Sequence, residues 1–163
     1  MDLAPWQPIA DDGDRPLYAH DYAELLGQCE DGLARRRKAY PEWVRTGQLA
    51  DEEAARDIAA WELLVAEWRW ILSGEGAPPP RHTLSQRIDA VNLALERVSV
   101  EVRRRGGHEV LRQSHLLQAL RWHLVTHRFG APAVHFFAAA THAARAEAAR
   151  EHPEQRKPAM EAA

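Results

Sequence analysis

Leu84, Ile88, Val91, Leu95, Val98 and Val102 recur at spacings of three and four residues. On a helix of 3.6 residues per turn these positions fall on one stripe, while a strand would scatter them over both faces. A stripe this regular has to be buried against another apolar surface, so the segment cannot stand alone. Thr83 is placed to cap the start of this helix, and Gly106-Gly107 ends it.

The rest of the chain repeats the pattern. A first helix is expected from about Asp21 to near Tyr40, with Asp21 as N-cap and Tyr22, Leu26, Cys29, Leu33 and Tyr40 on its inner face. Pro41 cannot donate to the carbonyl one turn back, so it should kink the helix or start a new turn, and Gly47 should stop it. Asp51 is the expected cap of a second helix, with Ile58, Trp61, Val65, Trp68 and Leu72 as its seam. Ser73-Gly74-Glu75-Gly76 ends that helix, and Ala77-Pro78-Pro79-Pro80 follows as a stiff spacer. A fourth helix is expected from about His108 to Phe129, carrying Val110, Leu117, Leu120 and Leu124. Gly130 breaks it, and Pro132 suits the first turn of an alanine-rich fifth from Val134 to about Arg150. Period-two alternation of β-branched residues is absent, so no sheet is expected.

These elements define an all-α, antiparallel bundle of about five helices joined by short glycine-containing turns. The expected organisation is a flexible N-terminal arm (1–16), a helical domain (17–152) and a disordered tail (153–163). Within the domain, 17–73 forms a helical hairpin, 74–82 a proline-rich linker and 83–152 a three-helix half. The seams are narrow and the chain has six tryptophans, which leaves room for a homodimer whose interface completes the core.

Composition narrows the function classes. Charged residues make up 28% of the 163, and no apolar run reaches the roughly 18 residues a membrane span needs, so no membrane role is expected. The acidic, proline-bearing start lacks the positive charge and apolar centre of a secretory signal. The single Cys29 cannot form an internal disulfide and sits at an apolar helix position. Together these point to the cytoplasm. The net charge of −3 hides alternating blocks: residues 1–34 hold eight acids against one arginine, whereas 81–128 hold nine arginines against four acids. Surfaces of opposite sign can orient a partner, although helix exteriors carry charge in any case.

The densest chemistry lies at Arg35-Arg36-Arg37-Lys38-Ala39-Tyr40-Pro41-Glu42-Trp43-Val44-Arg45-Thr46-Gly47, where cations, aromatics and a proline fall between two helices. One reading is structural: Tyr40 and Trp43 pack back on the second helix, and Arg36 and Arg37 pair with acids such as Glu62. The other is functional: Arg36, Arg37, Tyr40 and Trp43 meet an acidic protein or phosphate. Arg103, Arg104 and Arg105 form a second anionic-contact candidate, or simply a solvated helix end where positive charge suits the dipole.

The pattern Arg36-Arg37-x-x-Tyr40-Pro41-x-Trp43-Val44-x-x-Gly47, followed by Ala54-x-x-Asp57-Ile58-Ala59-x-Trp61-Glu62, resembles a group of short helical proteins of unassigned function. That group occurs in bacteriophages, prophages and other mobile elements of proteobacteria. The resemblance covers about residues 24–72 and departs from the group at Trp61, where a smaller apolar residue is expected. It implies a phage or prophage context in a bacterial host and no particular reaction.

No catalytic signature accompanies it. Ser85, Ser99 and Ser114 lack a nucleophile elbow, and Gly74-Glu75-Gly76 runs into prolines rather than a phosphate-binding helix start. His123 and His127, four apart on one helix face, are the nearest approach to a metal site, with no acidic third ligand in the usual spacing. No metal and no cofactor is therefore expected. The expected function is a non-enzymatic phage or mobile-element interaction protein that binds and blocks or adapts another protein. A host-defence component, in the manner of an anti-CRISPR inhibitor, is one such target. The alternatives are a nucleic-acid-binding accessory protein using the same arginines, and a His-based metal-dependent enzyme.

Overall fold

The computed structural model describes residues 15–128 and 131–153. The expected arm and tail fall almost entirely outside them. Five α-helices make up the described chain: α1 (Tyr22–Arg45), α2 (Asp51–Ser73), α3 (Leu84–Arg104), α4 (His108–Val125) and α5 (Ala133–Glu151), with a 3-10 turn (Arg81–Thr83) leading into α3. The fold is an all-α bundle. Its sole extended pairing among the described residues is a two-residue antiparallel ladder, His127 opposite Pro132 and Arg128 opposite Ala131.

α1 and α2 return on each other through a turn in which Gly47 adopts φ +77°, a conformation that favours glycine. α3 and α4 make the second hairpin through Gly106 and Gly107, both at positive φ. The α3 stripe behaves as its spacing demands. Leu84, Val91, Leu95 and Val98 are buried, and they meet Leu25, Cys29, Trp61, Leu64, Trp68, Leu116, Leu120 and Leu124 in one core. α5 crosses back to the first hairpin rather than completing a separate half with α3 and α4. His142 donates from Nε2 to the Trp70 carbonyl of α2 at 2.7 Å, and both His135 and His142 stand edge-on to the Trp70 ring. Within α5 only Val134 and Ala138 are buried.

Several local expectations need correction. Asp21 precedes α1 but its side chain makes no cap bond; its backbone carbonyl accepts from Leu25 instead. Asp51 is the first residue of α2 rather than its cap. The Thr83 hydroxyl turns back to the Pro80 carbonyl at 2.6 Å. Pro41 neither stops α1 nor restarts it: the helix continues to Arg45. The carbonyl left without a donor is that of Arg37, on the exposed face where water can bind it. α4 ends at Val125, four residues early. The Thr126 backbone N–H and hydroxyl both bond the Trp122 carbonyl, and the Thr126 carbonyl accepts from Ala133, which turns the chain into α5.

Candidate partner-binding site

Asp57 on α2 organises the motif region. Its Oδ2 accepts from Arg36 Nε at 2.7 Å and from the Tyr40 hydroxyl. Arg36 spends a second N–H on the Gly32 carbonyl at 2.9 Å and lies over the Trp61 ring, 4.1 Å from its centroid. Gly32 allows this approach: a Cβ there would stand 3.0 Å from the Trp61 ring. Burial, and then the bond to Asp57, pushes the Tyr40 phenol above its ordinary pKa, so it stays a protonated donor.

Two of the four motif residues proposed to meet a partner are thus committed internally. Arg36 and Tyr40 are 8% and 2% exposed, and both are already bonded to Asp57. The structural reading applies to them, with Asp57 rather than Glu62 as the acid for Arg36. Arg37 does pair with Glu62, at 3.0 Å across an exposed surface. Trp43 is half-buried and lies tilted against Tyr40, with ring centroids 5.4 Å apart. Arg103, Arg104 and Arg105 are exposed at the end of α3; Arg103 donates to the Ser99 carbonyl and Arg105 approaches Glu101 at 3.9 Å.

Arg97 of α3, which the sequence reading did not single out, completes the site. Its Nη1 donates to the Tyr40 oxygen at 2.7 Å, and its guanidinium carbon lies 5.8 Å from the Tyr40 ring and 5.9 Å from the Trp43 ring. Tyr40 and Arg97 form a wall between two clefts. One, of about 320 Å3, lies between α1, α3 and α4. Apolar groups of Trp43, Ala94, Val98, Val110 and Leu117 line it, and Gln28, Arg35, Arg97, Glu101 and Gln113 supply the polar groups. The other, of about 500 Å3, lies between α2 and α3 and mixes Glu53, Asp57 and Asp89 with Arg56 and Arg97.

The smaller cleft holds polar groups with unused capacity. Gln28 is 5% exposed and its amide has no hydrogen-bond partner among the described residues. Arg35 is exposed and makes no ion pair there. Arg97 uses one N–H on Tyr40, and no described residue takes its remaining N–H groups. A fixed guanidinium with an open edge above an apolar floor receives planar anions.

A second polar cluster lies inside the core. Glu67 Oε2 accepts from Arg87 and from His135 Nε2, the latter at 2.7 Å, tying α2, α3 and α5 together. Glu67 Oε1 and Arg87 Nε are buried without partners among the described residues. Cys29 is fully buried, and its thiol is pushed well above its ordinary pKa by burial and then by the Glu67 charge, so it is no nucleophile. His123 is also interior. Its Nε2–H donates to the Ala19 carbonyl at 2.6 Å, and burial pushes its pKa down to about 4. That nitrogen is thereby used up for metal binding, and the His127 side chain lies outside the described residues. Among the described residues no three His, Cys, Asp or Glu side chains gather where a metal could be held. No described helix is long and apolar enough to cross a membrane.

No protein-family model, no curated protein and no solved structure significantly matches this chain.

Proposed function

We propose that this chain is a non-enzymatic interaction protein. In this reading it is encoded by a phage or other mobile element and acts in the cytoplasm of a bacterial host. It docks an acidic segment of another protein and thereby blocks or adapts it, a host-defence component being one such target. The genetic context rests on the Arg-Arg-x-x-Tyr-Pro-x-Trp-Val motif. The mode of action rests on the cleft between α1, α3 and α4.

One observation carries the docking reading: Gln28, Arg35 and Arg97 line this cleft with hydrogen-bonding groups that no described residue fully uses. Arg35 and the open edge of Arg97 give the same cleft a positive bias, and Trp43 gives it a flat apolar wall.

The test is capture from a proteobacterial lysate by the immobilised chain and by an Arg35→Glu/Arg97→Glu variant, followed by reconstitution with the purified captured protein. A partner that binds the parent directly and loses binding to the variant, with helicity unchanged, supports the proposal. A partner held equally by both would move the docking surface elsewhere.

A further inference from the structure

We infer that the group entering the α1–α3–α4 cleft is a carboxylate set beside an apolar side chain, presented by an acidic segment of the partner protein. This deepens the docking reading and rests on it.

Charge selects the ligand first. Arg36 lies at the cleft wall, but Asp57 neutralises it. Arg35 and Arg97 remain, opposed by Glu101, which leans toward Arg105 at 3.9 Å. The surplus therefore matches a single negative charge better than the doubled charge of a phosphate monoester. Geometry selects next. Arg97 is held by Tyr40 and by two ring faces, so it offers a fixed fork at little further cost in rotamer entropy, and a carboxylate is the planar anion that fits a fork. Gln28 adds a donor and an acceptor of the kind a peptide group satisfies. Size and lining select last. A cleft of about 320 Å3 lies at the small end of ligand pockets, and its apolar walls with Trp43 at the rim suit one apolar side chain.

The experiment uses the full chain labelled with nitrogen-15. It is titrated with a blocked pentapeptide carrying glutamate beside phenylalanine, with the same peptide carrying glutamine instead, and with inorganic phosphate. The expected result is a shift of the Gln28 side-chain amide and the Trp43 indole resonances by the acidic peptide. Its affinity should exceed that of the glutamine peptide by at least about tenfold, the share a charge-assisted fork contributes. Arg97→Gln should erase that difference. If that variant loses helicity, Arg35→Gln, at an exposed position, should still weaken the acidic peptide by about threefold.

Equal binding of the two peptides would overturn the inference, as would no response at Gln28 and Trp43 up to the peptide's solubility limit. Phosphate displacing the peptide at equal concentration would also overturn it, in favour of nucleic acid. The two levels fail separately. A captured partner that needs the cleft while the acidic peptide ignores it would sink the carboxylate and keep the docking reading. A captured partner indifferent to the cleft would sink the docking reading.

Discussion

Asp57 holds two donors on one oxygen, so its removal strands both. The Arg36 and Asp57 side chains are each 10% exposed, and a buried charge deprived of its counter-ion costs far more than the intact pair contributes. Asp57→Ala should lower stability by about 3–5 kcal/mol in denaturant unfolding, whereas Asp57→Asn, which keeps an acceptor oxygen, should lose clearly less. Equal losses would mean that the carboxylate's charge, which both variants remove, matters there rather than its hydrogen bonds. His123 makes a second prediction at this scale. It is held neutral inside the fold with its pKa depressed to about 4, while in the unfolded chain it returns to about 6.5. The unfolded state therefore binds more protons between those values. The contribution of His123 is complete above about pH 6.5 and drains away as pH falls toward 4. Stability should drop by about 2 kcal/mol from this residue between pH 7.5 and pH 5, and a His123→Gln variant should show a correspondingly flatter profile over that window.

Among the elements, α1 carries two interior glycines with opposite demands. A Cβ at Gly27 would meet nothing within 4 Å, while a Cβ at Gly32 would press on Trp61 at 3.0 Å and on Arg36 at 3.3 Å. Helix propensity favours alanine over glycine by about 1 kcal/mol at both positions. Gly27→Ala should therefore raise the melting temperature, and Gly32→Ala should lower it, because overpacking against a fully buried tryptophan costs about 1–3 kcal/mol. A stabilising Gly32→Ala would show that the contact yields without cost. The same helix shows how far the sequence could be read. Cys29, Leu33 and Tyr40 fell on a stripe of helical spacing and are buried, because that periodicity follows from backbone geometry alone. Gln28 and Arg36 share the inner face, and a polar letter does not announce this: the Asp57 and Trp61 that hold Arg36 lie on another helix. Glu67 is hidden in the same way, its partners Arg87 and His135 lying on α3 and α5, although it completes a row with Ala60, Leu64 and Ile71 at spacings of three and four. Arg97 had no local signal: its role comes from Tyr40, 57 residues away.

At the level of the whole molecule, the first four helices and α5 are secured by different means. α1 to α4 share one continuous apolar core. α5 adds only Val134 and Ala138 to it, leaves Phe137 67% exposed, and depends on His135 bonded to Glu67 and His142 bonded to the Trp70 carbonyl. Two imidazole hydrogen bonds contribute about 1–3 kcal/mol together, well under what a buried helix face of four or five large side chains provides. The free energy needed to lift α5 should accordingly lie far below that of global unfolding. Native-state hydrogen exchange should find α5 amides beyond Ala138 exchanging well ahead of those around Leu64 in α2 and Leu120 in α4. His142→Ala should accelerate the α5 amides further while leaving the α2 and α4 set unchanged. Uniform protection across all five helices would mean that α5 belongs to the same cooperative unit, held by contacts stronger than its two histidines.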